Sequence, residues 1–270
     1  MIDTKHYDVI IVGSGPAGIF SAYELTKLAP GIRILLVEKG KLLEKRICPS
    51  RINGDLCYHC IPCSIMSGWG GAGAFSDGKL TFSPEVGGRL NEYITSEEFK
   101  EIADYVDNVY LDFGAPSEVF GVDEDKIDDI SRRSAKAGLR LIPARIRHLG
   151  TEICKEVLAR FYSYLSSKID IINETQVESL IVDNGQVKGV ITSAGEIYGD
   201  YVIVAPGRDG ADWLIGELRR LGLDIIRNPV DVGVRVEIPA VIMEEVTDVL
   251  YEPKLEFYSK SFDDRVRTFC

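Results

Sequence analysis

The first forty residues constrain the fold most. Residues 7–12, YDVIIV, form a short apolar run rich in β-branched side chains, which suits a parallel strand buried on both faces. It leads into Gly13-Ser14-Gly15-Pro16-Ala17-Gly18, then into the helical pattern IFSAYELTKLA, which Pro30-Gly31 stops. A second buried run, RILLV (33–37), is closed by Glu38, twenty positions after Gly18. Strand, glycines, helix, strand and acid therefore follow in register. That order predicts a βαβ unit with G-x-G-x-x-G at its first turn.

Each residue of the turn has a physical task. Gly13 permits the tight bend, Gly15 lets the backbone approach a pyrophosphate, and Gly18 lets the helix pack against the strand. Pro16 suits the first helical position, where its missing N–H costs nothing. The free amides and the helix dipole face an anion. Glu38 is placed to accept hydrogen bonds from a ribose diol. These features point to a dinucleotide but do not separate FAD from NAD.

Two further features favour FAD. The fingerprint stands at the N-terminal end of the sequence, and YVIVAPG (201–207), followed by Arg208, reads as another buried strand ending in a turn of small residues. That second motif resembles the strand that returns to the cofactor in flavoproteins of the two-dinucleotide-binding type. Between the two, residues 169–172, 176–182, 186–192 and 196–198 read as a short strand and a β-meander. Asn184-Gly185 and Ala194-Gly195 mark its turns. The expected fold is α/β: a Rossmann-like parallel sheet with a β-meander and the start of a second, α+β domain.

Two elements downstream of the fingerprint carry chemistry. The first is Cys48-x8-Cys57-x2-Cys60-x2-Cys63. Thiolates at this spacing can converge on an iron–sulfur cluster or, with His59 as a substitute ligand, on zinc. Redox thiols near a flavin and cysteines with no shared partner stay open beside those two readings. The second is Gly68-Trp69-Gly70-Gly71-Ala72-Gly73-Ala74-Phe75-Ser76-Asp77-Gly78-Lys79. So many glycines cost conformational entropy, and the compensating use expected here is a backbone lying against a flat ring. Lys79 or a backbone amide is a candidate to stabilise negative charge on a reduced flavin.

YDVIIVGSGPAGIFSAYEL, C-x-x-C-x-x-C, SGWGGAGAFSDGKL and NPVDVGVRVE together resemble a family of poorly characterised FAD-dependent dehydrogenases. These are relatives of the two-dinucleotide-binding flavoproteins. The resemblance covers essentially the whole chain and is most specific at SGWGGAGAFSDGKL. It implies FAD held through Gly13, Gly15, Gly18, Glu38, the glycine loop and the Ala205–Gly207 turn. The full expected cofactor set is Gly13, Gly15, Pro16, Ala17, Gly18, Glu38, Lys39, Arg46, Gly70, Gly71, Ser76, Asp77, Lys79, Val177, Ala205 and Gly207. Members of the family look longer. This sequence stops at RTFC and lacks the returning Gly-Asp motif, so it is expected to lack a C-terminal part.

The remaining segments read as scaffold. Thr95-x-x-Glu98 matches a capping box that opens a helix, and 125–137 reads as a second helix with the acidic run 123–125 as its solvated start. Helices are also expected over about 151–167 and 213–221. Residues 232–238, VGVRVEI, alternate apolar side chains with Arg235 and Glu237, which predicts a strand. Arg235 is a candidate for an anionic substrate, with a cross-strand ion pair as the alternative. His148 is a candidate acid or base, against a structural role. The expected domains are a cofactor domain of 1–90 and 140–228, a helical insertion of 91–139, and the beginning of a substrate domain over 229–270.

Composition bounds the partners. The 270 residues carry a formal charge of −11 with no basic tract, which argues against nucleic-acid binding. No apolar run approaches the ~20 residues of a membrane span, and the N-terminus has no signal-peptide layout, so a cytoplasmic protein is expected. The expectation is an FAD-dependent oxidoreductase. A bound small-molecule substrate or reduced nicotinamide nucleotide, NAD(P)H, would deliver a hydride to its flavin. An electron-transfer partner or a separate C-terminal chain is a further expected partner. The alternative is a non-catalytic FAD- or metal-binding module that needs that separate chain.

Overall fold

The computed structural model describes residues 6–226 and 230–268. In chain order it runs β1 (Tyr7–Val12), α1 (Pro16–Leu28), β2 (Ile34–Val37), a short α2 (Pro49–Asn53) and β3 (Lys79–Phe82). Next come α3 (Ser96–Asp112), α4 (Glu124–Lys136), β4 (Arg140–Ile142), β5 (Arg145–His148) and α5 (Gly150–Ser166). The rest is β6 (Asp170–Ile172), β7 (Val177–Asp183), β8 (Gln186–Thr192), β9 (Gly195–Val204), α6 (Ala211–Arg220), α7 (Glu244–Leu250), β10 (Lys254–Ser259) and β11 (Asp264–Arg267). The chain forms two compact units, Met1–Ser76 with Thr151–Pro229, and Asp77–Gly150 with Val230–Cys270.

The first unit is built on a six-stranded sheet in the order β6-β2-β1-β9-β8-β7. β6, β2, β1 and the second half of β9 are parallel, while β7, β8 and the first half of β9 form an antiparallel meander. This is the α/β sheet with a meander that the sequence predicts. Every residue of β2 is buried, as are all but one of β1, because both sheet faces are covered. Tyr7, Ile10, Val12, Leu35 and Val37 pack with Val177, Val190 and Ile197 of the meander, and Trp213 of α6 packs against that core. Elsewhere in the unit, Tyr23 of α1 meets Phe161 of α5 edge to face at 6.1 Å.

One strand differs from expectation. The runs at 196–198 and 201–207 are a single ten-residue strand, β9, which pairs with β8 and then with β1. Gly199 marks the changeover. A Cβ there would lie 3.0 Å from the Ile10 side chain and the Tyr7 carbonyl, so a glycine lets the strand pass β1 without turning.

The second unit holds a two-stranded antiparallel ribbon, β3 with β5, and a three-stranded antiparallel sheet, β11-β10-β4. α3 opens with the reciprocal capping box between Thr95 and Glu98, and the Asp123 side chain accepts the Lys126 amide at the start of α4. The unit boundaries fall elsewhere than the sequence suggests. The segment between the two halves of the first unit runs from 77 to 150, and it packs with 230–268: β4 pairs with β10, and Ile130 and Leu141 pack with Leu250. Residues 231–239 form no strand. Alternation specifies a strand only when a neighbouring strand takes up its backbone groups. Here Val232 and Val234 are 92% and 88% exposed, and Arg235 pairs with Glu237 two residues along at 2.9 Å instead of across strands. Pro229 and the RTFC end at Phe269-Cys270 lie outside the described residues. Among the described residues no helix is long and apolar enough to cross a membrane.

Candidate functional site

A cavity of about 240 Å³ opens in the first unit at the carboxyl ends of β1 and β2, where Val12 and Val37 form its floor. Open parallel sheets bind ligands in this crevice, beside the strand at which the order reverses. Three turns wall it. Gly13, Gly15 and Pro16 come from the fingerprint, Gly71, Ala72 and Gly73 from the glycine loop, and Ala205, Pro206 and Gly207 from the turn after β9. Glu38, Lys39 and Val177 complete the expected residues that line it.

The two glycine runs touch backbone to backbone. Gly70 N donates to the Ser14 carbonyl at 2.9 Å. A Cβ on Gly71, whose φ is +60°, would lie 3.0 Å from the Gly15 Cα. Gly13 has φ +101°, and a Cβ there would come within 2.3 Å of the Ala205 carbonyl oxygen. The wall is therefore closed by peptide groups, with no space for side chains between them. α1 starts here with Pro16 at its first turn and Gly15 as N-cap, and no side chain caps it. Its leading amides are donors available to an anion.

The glycine loop is fixed, not slack. Trp69 is 1% exposed and its indole N–H donates to the Leu158 carbonyl at 2.8 Å. Arg46 lies beneath the loop and spends its guanidinium on the carbonyls of Ser64, Ile65 and Trp69. Its plane rests 4.7 Å from the Phe75 ring. Burial lowers its pKa to about 10, against the favourable charge of Glu38. Arg46 thus acts as a positioning residue for the loop and does not line the cavity, which corrects its expected role at the cofactor. The physical reason is that its donors are saturated by backbone carbonyls within the protein.

Glu38 is the hub of the site. Oε2 accepts Ser14 N and Ser14 Oγ, each at 2.8 Å. Oε1 accepts Gly40 N at 2.8 Å and Gly68 N at 3.0 Å. One carboxylate therefore ties together the fingerprint turn, the end of β2 and the start of the glycine loop. Beside it, Lys39 Nζ bonds the Asp209 carbonyl at 2.9 Å and its carboxylate at 2.7 Å, and Ser67 Oγ donates to that same carboxylate. Burial works to raise the Asp209 carboxyl, but the Lys39 and Ser67 hydrogen bonds and the Lys39 charge hold it below its ordinary value.

The other expected residues are not among those that line this cavity. Ala17 and Gly18 sit in the first turn of α1, and Gly70 faces Ser14 and Leu158. Ser76 turns back on Gly73, and its carbonyl accepts the Thr151 hydroxyl. Asp77 and Lys79 belong to the second unit. Sequence reasoning missed Met66, Ser67, Thr175, Gln176 and Trp213, all of which line the cavity, as do Gly68 of the glycine loop and Arg208 after the Ala205–Gly207 turn. Ser67 adjoins the glycine run and was within reach of its pattern. Thr175 and Gln176 carry no motif.

The four clustered cysteines are not gathered. Cys48 caps the five-residue α2, which Gly54 stops with φ +72°, and the chain then runs through exposed bends. Cys57 and Cys60 are exposed, while Cys48 and Cys63 are half-buried. Among the described residues no group of three or more His, Cys, Asp or Glu side chains is placed to hold a metal ion.

A second polar cluster lies within the second unit. His148 Nε2 is 2.7 Å from Asp77 Oδ1, and the Tyr251 hydroxyl donates to Asp77 Oδ2 at 2.8 Å. The Tyr251 ring stacks on the His148 ring at 4.4 Å. Tyr251 has φ +58° and ψ −57°, and Glu252 N bonds the Leu250 carbonyl at 2.6 Å, which makes a strained γ-turn. Lys79 pairs with Glu252 at 2.9 Å. Burial works to raise the Asp77 carboxyl, but the hydrogen bonds from His148 and Tyr251 and the charges of His148 and Lys79 hold it low. His148 thus has the carboxylate partner that its sequence context did not show.

No family model matches the sequence. An uncharacterized protein of Clostridium beijerinckii (strain ATCC 51743 / NCIMB 8052) is 24% identical over 238 residues, which is 85% of this chain and 36% of that protein. Among solved structures, L-amino acid deaminase from Proteus myxofaciens in complex with anthranilate has a TM-score of 0.45 at 17% identity, over 83% of this chain and 49% of that one. Glycine oxidase from Bacillus cereus ATCC 14579 has a TM-score of 0.44 at 18% identity, over 79% of this chain and 58% of that one. This chain therefore spans under two thirds of the length of each of these proteins.

Proposed function

We propose that the first unit binds FAD and that the chain belongs to an FAD-dependent oxidoreductase acting on a small-molecule hydride donor. The observation that carries this is the cavity at the ends of β1 and β2, closed by two glycine runs in backbone contact. The residues fit a dinucleotide. The wall admits no Cβ at Gly13 or Gly71, the uncapped start of α1 offers amides to a pyrophosphate, and an acid stands at the end of β2. About 240 Å³ is room for part of a dinucleotide, with the remainder lying along the open side.

When bound, the flavin supplies a two-electron acceptor. The chain's own residues supply the rest. Gly15 and the first turn of α1 hold the pyrophosphate, Glu38 faces the ribose, and the Gly71–Gly73 backbone excludes water from its side of the cavity. Lys39 is held by Asp209, so its charge is largely spent within the protein. The second unit holds an acid–base pair of its own, in which His148 Nε2 and Asp77 share a hydrogen bond. With Nε2–H donated to Asp77, Nδ1 is the basic atom.

The test is equilibrium binding of FAD to the purified chain, followed by flavin fluorescence, with FAD identified chromatographically after denaturation. Saturable one-to-one binding that Gly13→Ala abolishes is the expected result. No binding at about 1 mM FAD, where even a −4 kcal/mol site is half filled, overturns the proposal.

A further inference from the structure

The charged groups in and behind the wall of the proposed FAD site pair off, and one cation is left over. Lys39 meets the Asp209 carboxylate at 2.7 Å. Arg46, beneath the glycine loop, has the charge of Glu38 beside it. Arg208 also lines the cavity. It is exposed, and among the described residues its guanidinium meets no carboxylate, carbonyl or aromatic ring. An unpaired arginine is ordinary on a free surface, but this one borders a cavity and stands on a backbone that cannot drift.

That backbone is held on both sides. Before it, Ala205 N donates to the Val12 carbonyl at 2.8 Å, and a Cβ on Gly13 would lie 3.5 Å from the Pro206 Cα. After it, the Asp209 carbonyl is bonded by Lys39, and the Asp209 carboxylate by Lys39 and Ser67. Gly210 folds back on Pro206, where a Cβ would come within 2.5 Å of the proline side chain. Only the side chain of Arg208 is left to move. Two residues of chain span at most about 7 Å, so the Arg208 Cα lies within that distance of Pro206 and hence close to the fingerprint turn. A long, flexible side chain rooted there can reach phosphates held at the start of α1.

We propose that Arg208 is the side chain that recognises the pyrophosphate of the bound dinucleotide. This inference rests on the proposed FAD site. A pyrophosphate diester carries one negative charge on each phosphate. The amides at the start of α1 take one phosphate. The Arg208 guanidinium takes an oxygen pair of the other, in the planar two-bond geometry that suits phosphate. No bond within the protein has to break as it does so, because the guanidinium has no partner among the described residues to give up. The glycines therefore fix where the dinucleotide lies, while Arg208 sets how strongly its phosphates are held.

The experiment is calorimetric titration of the full chain with FAD, ADP and 2′,5′-ADP at low and at moderate salt. Wild type, Arg208→Lys and Arg208→Gln are compared, and far-UV circular dichroism checks that each is folded. Arg208→Gln should weaken FAD and ADP by about tenfold or more and should flatten the salt dependence of binding. Arg208→Lys keeps the charge but loses the planar fork, so it should fall between. If folded Arg208→Gln binds FAD within about twofold of wild type, the inference is wrong and the dinucleotide site stands. If both variants lose FAD affinity equally and at every salt concentration, Arg208 only shapes its turn and the inference is again wrong. If wild type prefers 2′,5′-ADP to ADP and Arg208→Gln abolishes only that preference, the guanidinium reads a ribose phosphate, which overturns the assignment to the pyrophosphate. If wild type binds neither FAD nor ADP at about 1 mM, the site itself is wrong and the inference falls with it.

Discussion

Glu38→Gln isolates the hub of the candidate site with almost no change in volume. An amide nitrogen replaces one carboxylate oxygen, and an NH₂ group cannot accept. If it stands on the Oε1 side, the amides of Gly40 and Gly68 both lose their acceptor. If it stands on the Oε2 side, Ser14 N loses its acceptor, while Ser14 Oγ can turn and accept from the new amide. A buried donor left unsatisfied costs about 1–3 kcal/mol, and the remaining bonds lose the help of the charge. The two orientations together give an expected loss of about 2–4 kcal/mol. Against a total stability of roughly 5–15 kcal/mol, that is a large fraction.

The assay is urea unfolding, read as a lowered midpoint at constant slope. Because two units can unfold separately, hydrogen exchange is needed to place the loss. The amides of Ser14, Gly40 and Gly68 should be protected in wild type and should exchange much faster in the variant. Amides of the β7–β8 ladder, which touch none of these residues, should keep their protection relative to the global value. A Glu38→Gln protein within about 0.5 kcal/mol of wild type, with Gly68 still protected, would refute the claim that this carboxylate welds the two glycine runs together.

Three further outcomes are expected. Gly71→Ala should cut FAD affinity more than tenfold, because its Cβ would press on Gly15 at a φ of +60°, whereas Gly73→Ala, with open space around it, should bind within about twofold; equal effects from the two would show that the backbone contact is not what shapes the cavity. Burial first, and then the hydrogen bond to Asp170, push the Tyr7 phenol from 10.0 up to about 12. The folded state then keeps a proton that the unfolded chain has lost, so stability should decline between pH 10 and about 12 by at most about 2.7 kcal/mol, less where solvent screens Asp170. Tyr7→Phe should remove that decline in alkaline urea titrations. Nitrogen-15 spectra should show the His148 proton on Nε2 in wild type and a mixture of tautomers in Asp77→Asn; a proton on Nδ1 in wild type would leave His148 without its proposed basic atom.

Local periodicity made most of the first unit legible. β1, β8 and the capping box of α3 stand where the sequence places them, because each is determined within a few residues by burial pattern, turn chemistry or a reciprocal side-chain bond. The boundaries of the second unit were not legible, because they depend on β4 finding β10 more than a hundred residues away. Residues 232–238 show the converse: a perfect alternation remains a string of exposed valines when no strand lies beside it.

The site divides along the same line. The glycines could be read because what matters about them is a missing atom, and their spacing alone fixes where the backbone bends. Arg46, Asp77 and Lys79 could not be read, because a charged side chain is defined by the partner it finds. Arg46 found three carbonyls of the loop it supports, Lys79 found Glu252, and Asp77 found His148 and Tyr251. Glu38 belongs to both classes. Its position after β2 announces a ribose acceptor, yet the structure fills every acceptor position with the protein's own donors. A carboxylate that both builds the cavity and faces its ligand cannot do both at full strength.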